Sequence, residues 1–242
     1  MCTVTLVPSG ENDFILTSNR DESVDRNTIA PAFYTYDSHR ILFPKDEVAG
    51  GTWIGINDSQ RVICLLNGGS MPHERKLPYK KSRGTVVVDL LTSQLDFRKS
   101  IELYNFEGIE PFTLIAADWQ KKPEFFEVIW DGRQIAFRTL ERKIHIWSSS
   151  TLYTIKMKQK RVDWLNSFIK TNSLNASSML NFHKYAGVGN PEIDLQIDRE
   201  LVKTRSITQI LKEGDEYTMR YEDLLHDKIT SISSESLTVS TQ

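Results

Sequence analysis

Along the first third of the chain, apolar and polar positions fall into the short, turn-bounded runs of β-strands, with no helical period. Thr3–Val7 and Phe14–Ser18 flank "PSGEND", a cluster of turn formers, and predict a hairpin. Thr52–Asn57 and Arg61–Asn67 flank "DSQ" and predict another; Ala32–Tyr36 and Arg40–Phe43, between them, carry weaker strand patterns. The period then lengthens. Gly84–Ser93 and Phe97–Asn105 read as helices, with a stop at Gly108. Strands resume at Phe112–Ala117, Glu124–Ile129 and about Ile144–Ser148. A helix over about Thr154–Lys170 places Val162, Leu165, Phe168 and Ile169 on one stripe. Lys156, Lys158, Lys160 and Arg161 read as its wet face. A shorter helix covers about Ala176–Tyr185, and Thr204–Leu211 with Glu216–Tyr221 form a last hairpin around Gly214.

Strands, helices, strands, helices, strands is the order of an α+β fold, two sheets with two helical layers between or outside them. No internal repeat or flexible linker interrupts it. The expected organisation is one domain over residues 1–225, followed by a polar segment over 226–242 that is a tail or an edge strand.

Composition narrows the function classes. The net charge of −2 gives no pull toward nucleic acid, and apolar runs such as "VICLL" fall far short of the ~20 residues of a membrane span. With no secretory pattern ahead of Cys2 and only one other cysteine, Cys64, a cytoplasmic, reducing location is expected and a disulfide framework is not. Cys64 sits in an apolar strand and reads as an inert buried thiol. His39, His73, His145, His183 and His226 are scattered without ligand spacing, so neither a metal nor a cofactor is expected. Arg75, Lys76, Lys80, Lys81 and Arg83 share one loop, which is either solvated or an anchor for an anionic ligand. Oligomeric state has no signature.

The cysteine in second place carries the chemical question. If the first hairpin turns near Gly10, Val7 faces Phe14 and Cys2 lies opposite about Asn19, within a register slip of one or two. Asn19, Arg20, Asp21 and Glu22 then arrive beside the chain's second residue, as a charged turn or as a site. Were Met1 removed, Cys2 would carry a thiol and an α-amine of pKa ~7.7–8.0 that can act as its base. Arg20 would favour the thiolate, Asp21 would hold the amine, and Asn67 would donate its side-chain amide to an oxyanion. Gly50, Gly51, Gly68 and Gly69 are first of all turn residues, and Trp53 is core or pocket wall.

"SNRDE", "AGGTWIGIN", "LLNGG", "KSRG" and "TRSIT" together resemble the NRDE family, which includes the transport and Golgi organisation protein 2 homologues; the resemblance runs from Met1 to about Tyr221. It implies similarity to N-terminal nucleophile (Ntn) hydrolases of the penicillin V acylase and bile salt hydrolase type, a four-layer αββα sandwich. On that resemblance Cys2 matches the nucleophile, Asp21 the aspartate that binds the α-amine, Asn67 the oxyanion asparagine and Arg205 a late arginine. Ser149 is the nearest match to a further asparagine, and Asn19, Trp53 and Arg83 are expected at the substrate. The acylases place an arginine three residues before the aspartate, where this chain has Ser18. Arg20 is adjacent instead, so Arg20 and Asp21 share one face only if the strand has ended or bulged there.

The resemblance implies a small-molecule, acylated substrate cleaved at a non-peptide C–N amide bond. It equally implies a carrier on the same scaffold, for haem or an acyl-CoA-like or lipid-like ligand. For a structural or partner-docking domain the sequence offers no positive sign.

Overall fold

The structure, a computed structural model, describes residues 2–36 and 38–234, with Cys2 described by its backbone. The expectations for Met1 and for the end of the polar tail lie outside the described residues. Strands β1 (Cys2–Ser9) and β2 (Asp13–Ser23) form the first hairpin, β3 (Thr28–Tyr36) and β4 (His39–Asp46) the next, and β5 (Ile54–Asn57) and β6 (Arg61–Asn67) a third. Helices α1 (Arg83–Leu91) and α2 (Phe97–Leu103) lead to β7 (Phe112–Asp118), β8 (Glu124–Trp130), β9 (Ile135–Leu140) and β10 (His145–Ser148). Helices α3 (Ile155–Phe168) and α4 (Ala176–Tyr185) precede β11 (Val202–Glu213), β12 (Glu216–Asp223) and β13 (Lys228–Ser233). No helix among the described residues is long and apolar enough to cross a membrane.

Each helix begins where the sequence supplies a side-chain acceptor for an orphan backbone N–H. Ser82 accepts from Thr85 N, Asp96 from Lys99 N, Thr154 from Met157 N and Asn175 from Ser178 N, the last as a full capping box. One strand, β9, has no counterpart in the sequence reading. Its six side chains are exposed or half-buried, so no apolar stripe announces it; it forms as an edge strand paired to β8.

The chain divides into two compact units. The first holds the residues up to Asp25, Lys143–Ser148 and those from Leu152 on. Its antiparallel sheet has the order β10-β1-β2-β11-β12-β13. Alternation along β1 and β2 sends Val7 and Ile15 to one face, where they pack with Leu165 of α3, Met179 and Phe182 of α4 and Leu195. Thr3, Thr5, Thr17, Asn19 and Asp21 share that parity, so a buried polar strip continues the apolar one toward the end of the sheet.

The second unit is Arg26–Arg142 with Ser149–Thr151, a seven-stranded sheet in the order β3-β4-β5-β6-β7-β8-β9. Its core is built by Val86, Val87, Leu90 and Leu91 of α1 and Phe97 and Ile101 of α2 against Ile63, Leu65, Leu114, Phe126 and Val128. Buried Arg61 ties off the carboxyl end of α1: its guanidinium donates to Leu90 O (3.1 Å) and Leu95 O (2.8 Å) and pairs with Asp118 at 2.9 Å. Gly51 and Gly84 meet backbone to backbone, since a Cβ on Gly51 would lie 2.5 Å from Gly84 C.

Candidate functional site

The first hairpin pairs one residue away from the expected register. Val7 faces Ile15, Pro8 faces Phe14, and Cys2 lies opposite Arg20, with Thr3 opposite Asn19. The turn is one residue longer than a pairing of Val7 with Phe14 would make it. The slip moves Arg20 level with Cys2, and the α-nitrogen of Cys2 extends toward the level of Asp21. β2 stays unbroken through Ser23, so consecutive residues point to opposite faces. Asp21 faces α3 and α4 with Asn19, whereas Arg20 faces away with Ser18. The irregularity falls on the partner strand: Thr204 pairs with Asp21, Ser206 with Arg20, and Arg205 is the extra residue between them.

Asp21 is fully buried and its carboxylate is held at both oxygens. Thr204 donates to Oδ1 at 2.6 Å, and the Tyr153 hydroxyl donates to Oδ2. Burial pushes the Asp21 carboxyl above its ordinary range, while those two donors and the charge of Arg161 pull it back. Tyr153 is pushed well above the usual phenol range by burial and by the Asp21 charge, so it remains a protonated donor. Behind it, the Arg161 guanidinium lies 3.4 Å from the centre of the Tyr153 ring. Arg161 also donates to Thr3 Oγ1 (2.9 Å) and to Asp194 O (2.8 Å). The wet-face expectation for Arg161 is therefore overturned: this side chain is fully buried, four residues before Leu165 on the inward stripe of α3.

Asn19 is engaged at every polar atom. Its Nδ2 donates to His183 O (3.0 Å) and Leu195 O (2.9 Å), and its Oδ1 accepts from His183 Nδ1 at 2.6 Å. His183 Nε2 then accepts from the Thr5 hydroxyl at 2.8 Å. Burial, reinforced by the Arg161 charge, lowers the His183 pKa to about 3, so the ring is neutral. This placement makes Asn19 a brace between β2 and α4.

Arg20 is buried on the other face, with Glu22 at 4.0 Å. Around it on β2 and β11, the hydroxyls of Ser18, Ser206 and Thr208 are buried without a hydrogen-bond partner among the described residues. Arg205 is buried and its guanidinium donates to Val24 O. Cys2, Arg20, Asp21 and Arg205 thus share one end of the first unit's sheet.

The other expected residues belong to the second unit. Asn67 ends β6, and Ser149 donates to its carbonyl at 2.9 Å and shares a hydrogen bond with Thr151 at 3.1 Å. Ser149 accordingly fixes the Asn67 backbone, with its hydroxyl engaged by protein. Gly68 follows with φ +86°, and a Cβ there would lie 2.3 Å from Ser150 Oγ. The Asn67 side-chain amide has no hydrogen-bond partner among the described residues. Trp53 is buried, as a core or wall residue would be. Arg83 pairs with Glu110 at 3.2 Å and donates to Pro111 O. Neighbouring cations are matched too, Lys81 with Asp89 (2.7 Å) and Lys80 with Glu107 (3.1 Å). Cys64 is buried, and among the described residues no three His, Cys, Asp or Glu side chains group as metal ligands.

Tyr153, Thr204 and Arg161 are the residues that sequence reasoning missed. Arg161 had one local signal, its i, i+4 relation to Leu165; Thr204 stood inside the quoted "TRSIT" without being singled out, and Tyr153 had no signal.

Comparison with solved structures places the fold. The chain is similar to the conjugated bile acid hydrolase of Clostridium perfringens, in the structure of its C2A mutant, with TM-score 0.62 and 9% identity over 98% of this chain and 93% of that one. It is similar to penicillin V acylase from Agrobacterium tumefaciens, with TM-score 0.59 and 13% identity over 99% and 89%. A Caenorhabditis elegans ortholog of N-acylethanolamine-hydrolyzing acid amidase gives TM-score 0.59 and 13% identity over 86% and 92%. At these identities the likeness is one of fold, and the α+β, Ntn-hydrolase-like class expected from the sequence is shown. No curated protein matches the sequence significantly. The family model described as Transport and Golgi organisation 2 matches residues 1–237, and the chain belongs to that family.

Proposed function

We propose that this protein is a cysteine amidohydrolase that cleaves a non-peptide C–N amide bond of a small acylated substrate, with Cys2 as nucleophile after removal of Met1. The observation that carries this reading is the Asp21 carboxylate, buried, held at both oxygens and level with the amino end of β1. A carboxylate so placed suits the α-ammonium of a chain that begins at Cys2. The fold likeness to bile acid, penicillin V and N-acylethanolamine amide hydrolases supports the same reaction class.

In this mechanism the α-amine takes the thiol proton, and the thiolate attacks the amide carbon. The family resemblance gives Asn67 as the oxyanion donor, a role worth about 2.7–4 kcal/mol where such donors have been removed. Collapse breaks the C–N bond, and the departing nitrogen leaves with the proton held by the α-ammonium. Water then attacks the thioester, passes a proton to the α-amine and releases the acid with the thiol restored. Arg20, opposite Cys2 in the register, favours the thiolate, and Arg205 is placed at the same sheet end. A reducing, cytoplasmic setting keeps that thiol usable.

Intact mass gives the first test, since a retained methionine blocks the amine and ends this mechanism. A panel of N-acyl amino acids and related amides, assayed with wild type and Cys2→Ala, gives the second. Turnover abolished by Cys2→Ala supports the reading. Haem or acyl-CoA binding that survives Cys2→Ala, without cleavage of any amide, assigns the fold a carrier role instead.

A further inference from the structure

We propose that Tyr153 is a positioning residue: braced by Arg161 and donating to one oxygen of Asp21 while Thr204 donates to the other, it holds the carboxylate ionised and aimed at the α-amine of Cys2. This rests on the reading of Cys2 as an N-terminal nucleophile.

A carboxylate offers about four acceptor sites, and Tyr153 and Thr204 occupy one on each oxygen. The two donors approach from different elements, the turn before α3 and the strand β11, so together they fix the plane of the group. Arg161 links both sides of the arrangement. It stacks under the Tyr153 ring and bonds Thr3, the residue after Cys2, so one buried cation holds the aspartate's donor and the start of β1 together. Beyond it, Arg199 lies 5.6 Å from the centre of the same ring.

The charged and titratable groups on this face are therefore Tyr153 and Arg161 from the α3 segment, His183 from α4, and Arg199 from the segment before β11. His183 is neutral. Arg161 is a cation that favours the carboxylate, against burial that disfavours it. Burial raises the pH at which Asp21 ionises, and the two hydroxyl donors oppose that rise. Loss of either raises that pH.

The test reads the reactivity of Cys2 and needs no substrate. An ionised Asp21 stabilises the reactive ammonium–thiolate pair, so the rate of Cys2 alkylation by iodoacetamide has an acid limb set by Asp21. Peptide mapping separates Cys2 from Cys64, which is buried. Tyr153→Phe keeps the ring over Arg161 and removes only the hydroxyl; the limb is expected to move up by about one pH unit or more, the size of a lost hydrogen bond to an ion. Thr204→Val should move it in the same direction, and Thr204→Ser, which keeps the hydroxyl, should restore the wild-type limb. The Thr204 pair answers the question should Tyr153→Phe not fold. A limb unmoved in Thr204→Val, or moved equally in Thr204→Ser, overturns this inference while leaving the nucleophile reading intact. A mass retaining Met1 overturns both.

Discussion

His183 allows a stability prediction with a definite sign. Its ring is neutral because Nδ1 donates to Asn19 Oδ1 and Nε2 accepts from Thr5, an arrangement that a second ring proton would break. The folded pKa is lowered to about 3, against 6.5 for the free side chain. As pH falls below 6.5 the unfolded chain takes up a proton that the folded chain refuses, so stability present above 6.5 is lost progressively down to about 3. Each pH unit in that window costs about 1.4 kcal/mol, hence about 2 kcal/mol at pH 5. Carboxylates titrate over the same range, so the measurement is a difference. His183→Gln supplies a donor and an acceptor without a titrating proton. Urea unfolding of both proteins at pH 7 and pH 5 should show wild type losing about 2 kcal/mol more than the variant across that interval. Parallel losses in the two proteins would refute the assignment of a neutral, doubly bonded ring.

Arg161→Met removes the charge-assisted bonds to Thr3 and Asp194 O while roughly keeping volume. Relief of a buried charge offsets part of the loss, so about 2–4 kcal/mol is expected, a fall in Tm of roughly 5–15 °C by calorimetry; an unchanged Tm would show that the cation is dispensable. Gly51→Ala pushes a Cβ to 2.5 Å from Gly84 C and should cost about 1–3 kcal/mol in chemical unfolding, whereas a neutral effect would mean that the α1 start shifts freely. Given an identified substrate, Asn67→Ala should lower kcat by about 10²–10³ with little change in KM; loss confined to KM would assign Asn67 to ground-state binding instead.

Local chemistry made the hairpins and helices legible. "PSGEND", "DSQ" and "KEGD" are turn formers between apolar runs, and each helix begins just after a Ser, Asp, Thr or Asn cap. Where the local signal was weak the reading weakened with it. β9 shows no buried stripe, and the first register slipped by one because turn length, which sets it, is not readable from composition. Asp21 was legible through its motif, but its donors lie 132 residues away at Tyr153 and 183 away at Thr204, and nothing local connects them. Arg161 misled for a physical reason. Its basic neighbours in "KMKQKR" suggest a solvated face, and only the partners waiting inside, Tyr153, Thr3 and two carbonyls, make burial of its charge tolerable.

Adjacency of Arg20 and Asp21 looked like an obstacle to a shared site, because strand neighbours face opposite ways and β2 does not bulge. On the proposed mechanism the alternation has a use. A chain that begins at Cys2 presents two groups of different direction: an α-nitrogen that continues the line of the strand, and a side chain that leaves it. Asp21 lies one step beyond Cys2 in the register, toward the nitrogen, and Arg20 lies directly opposite Cys2. An arginine three residues before the aspartate would occupy position 18, of the same parity as Arg20. Moving that cation from position 18 to position 20 keeps its face and changes only its level along the strand. The bulge at Arg205 sits on β11 opposite the step between Arg20 and Asp21, so the added residue leaves the pairing of β2 with β1 unbroken.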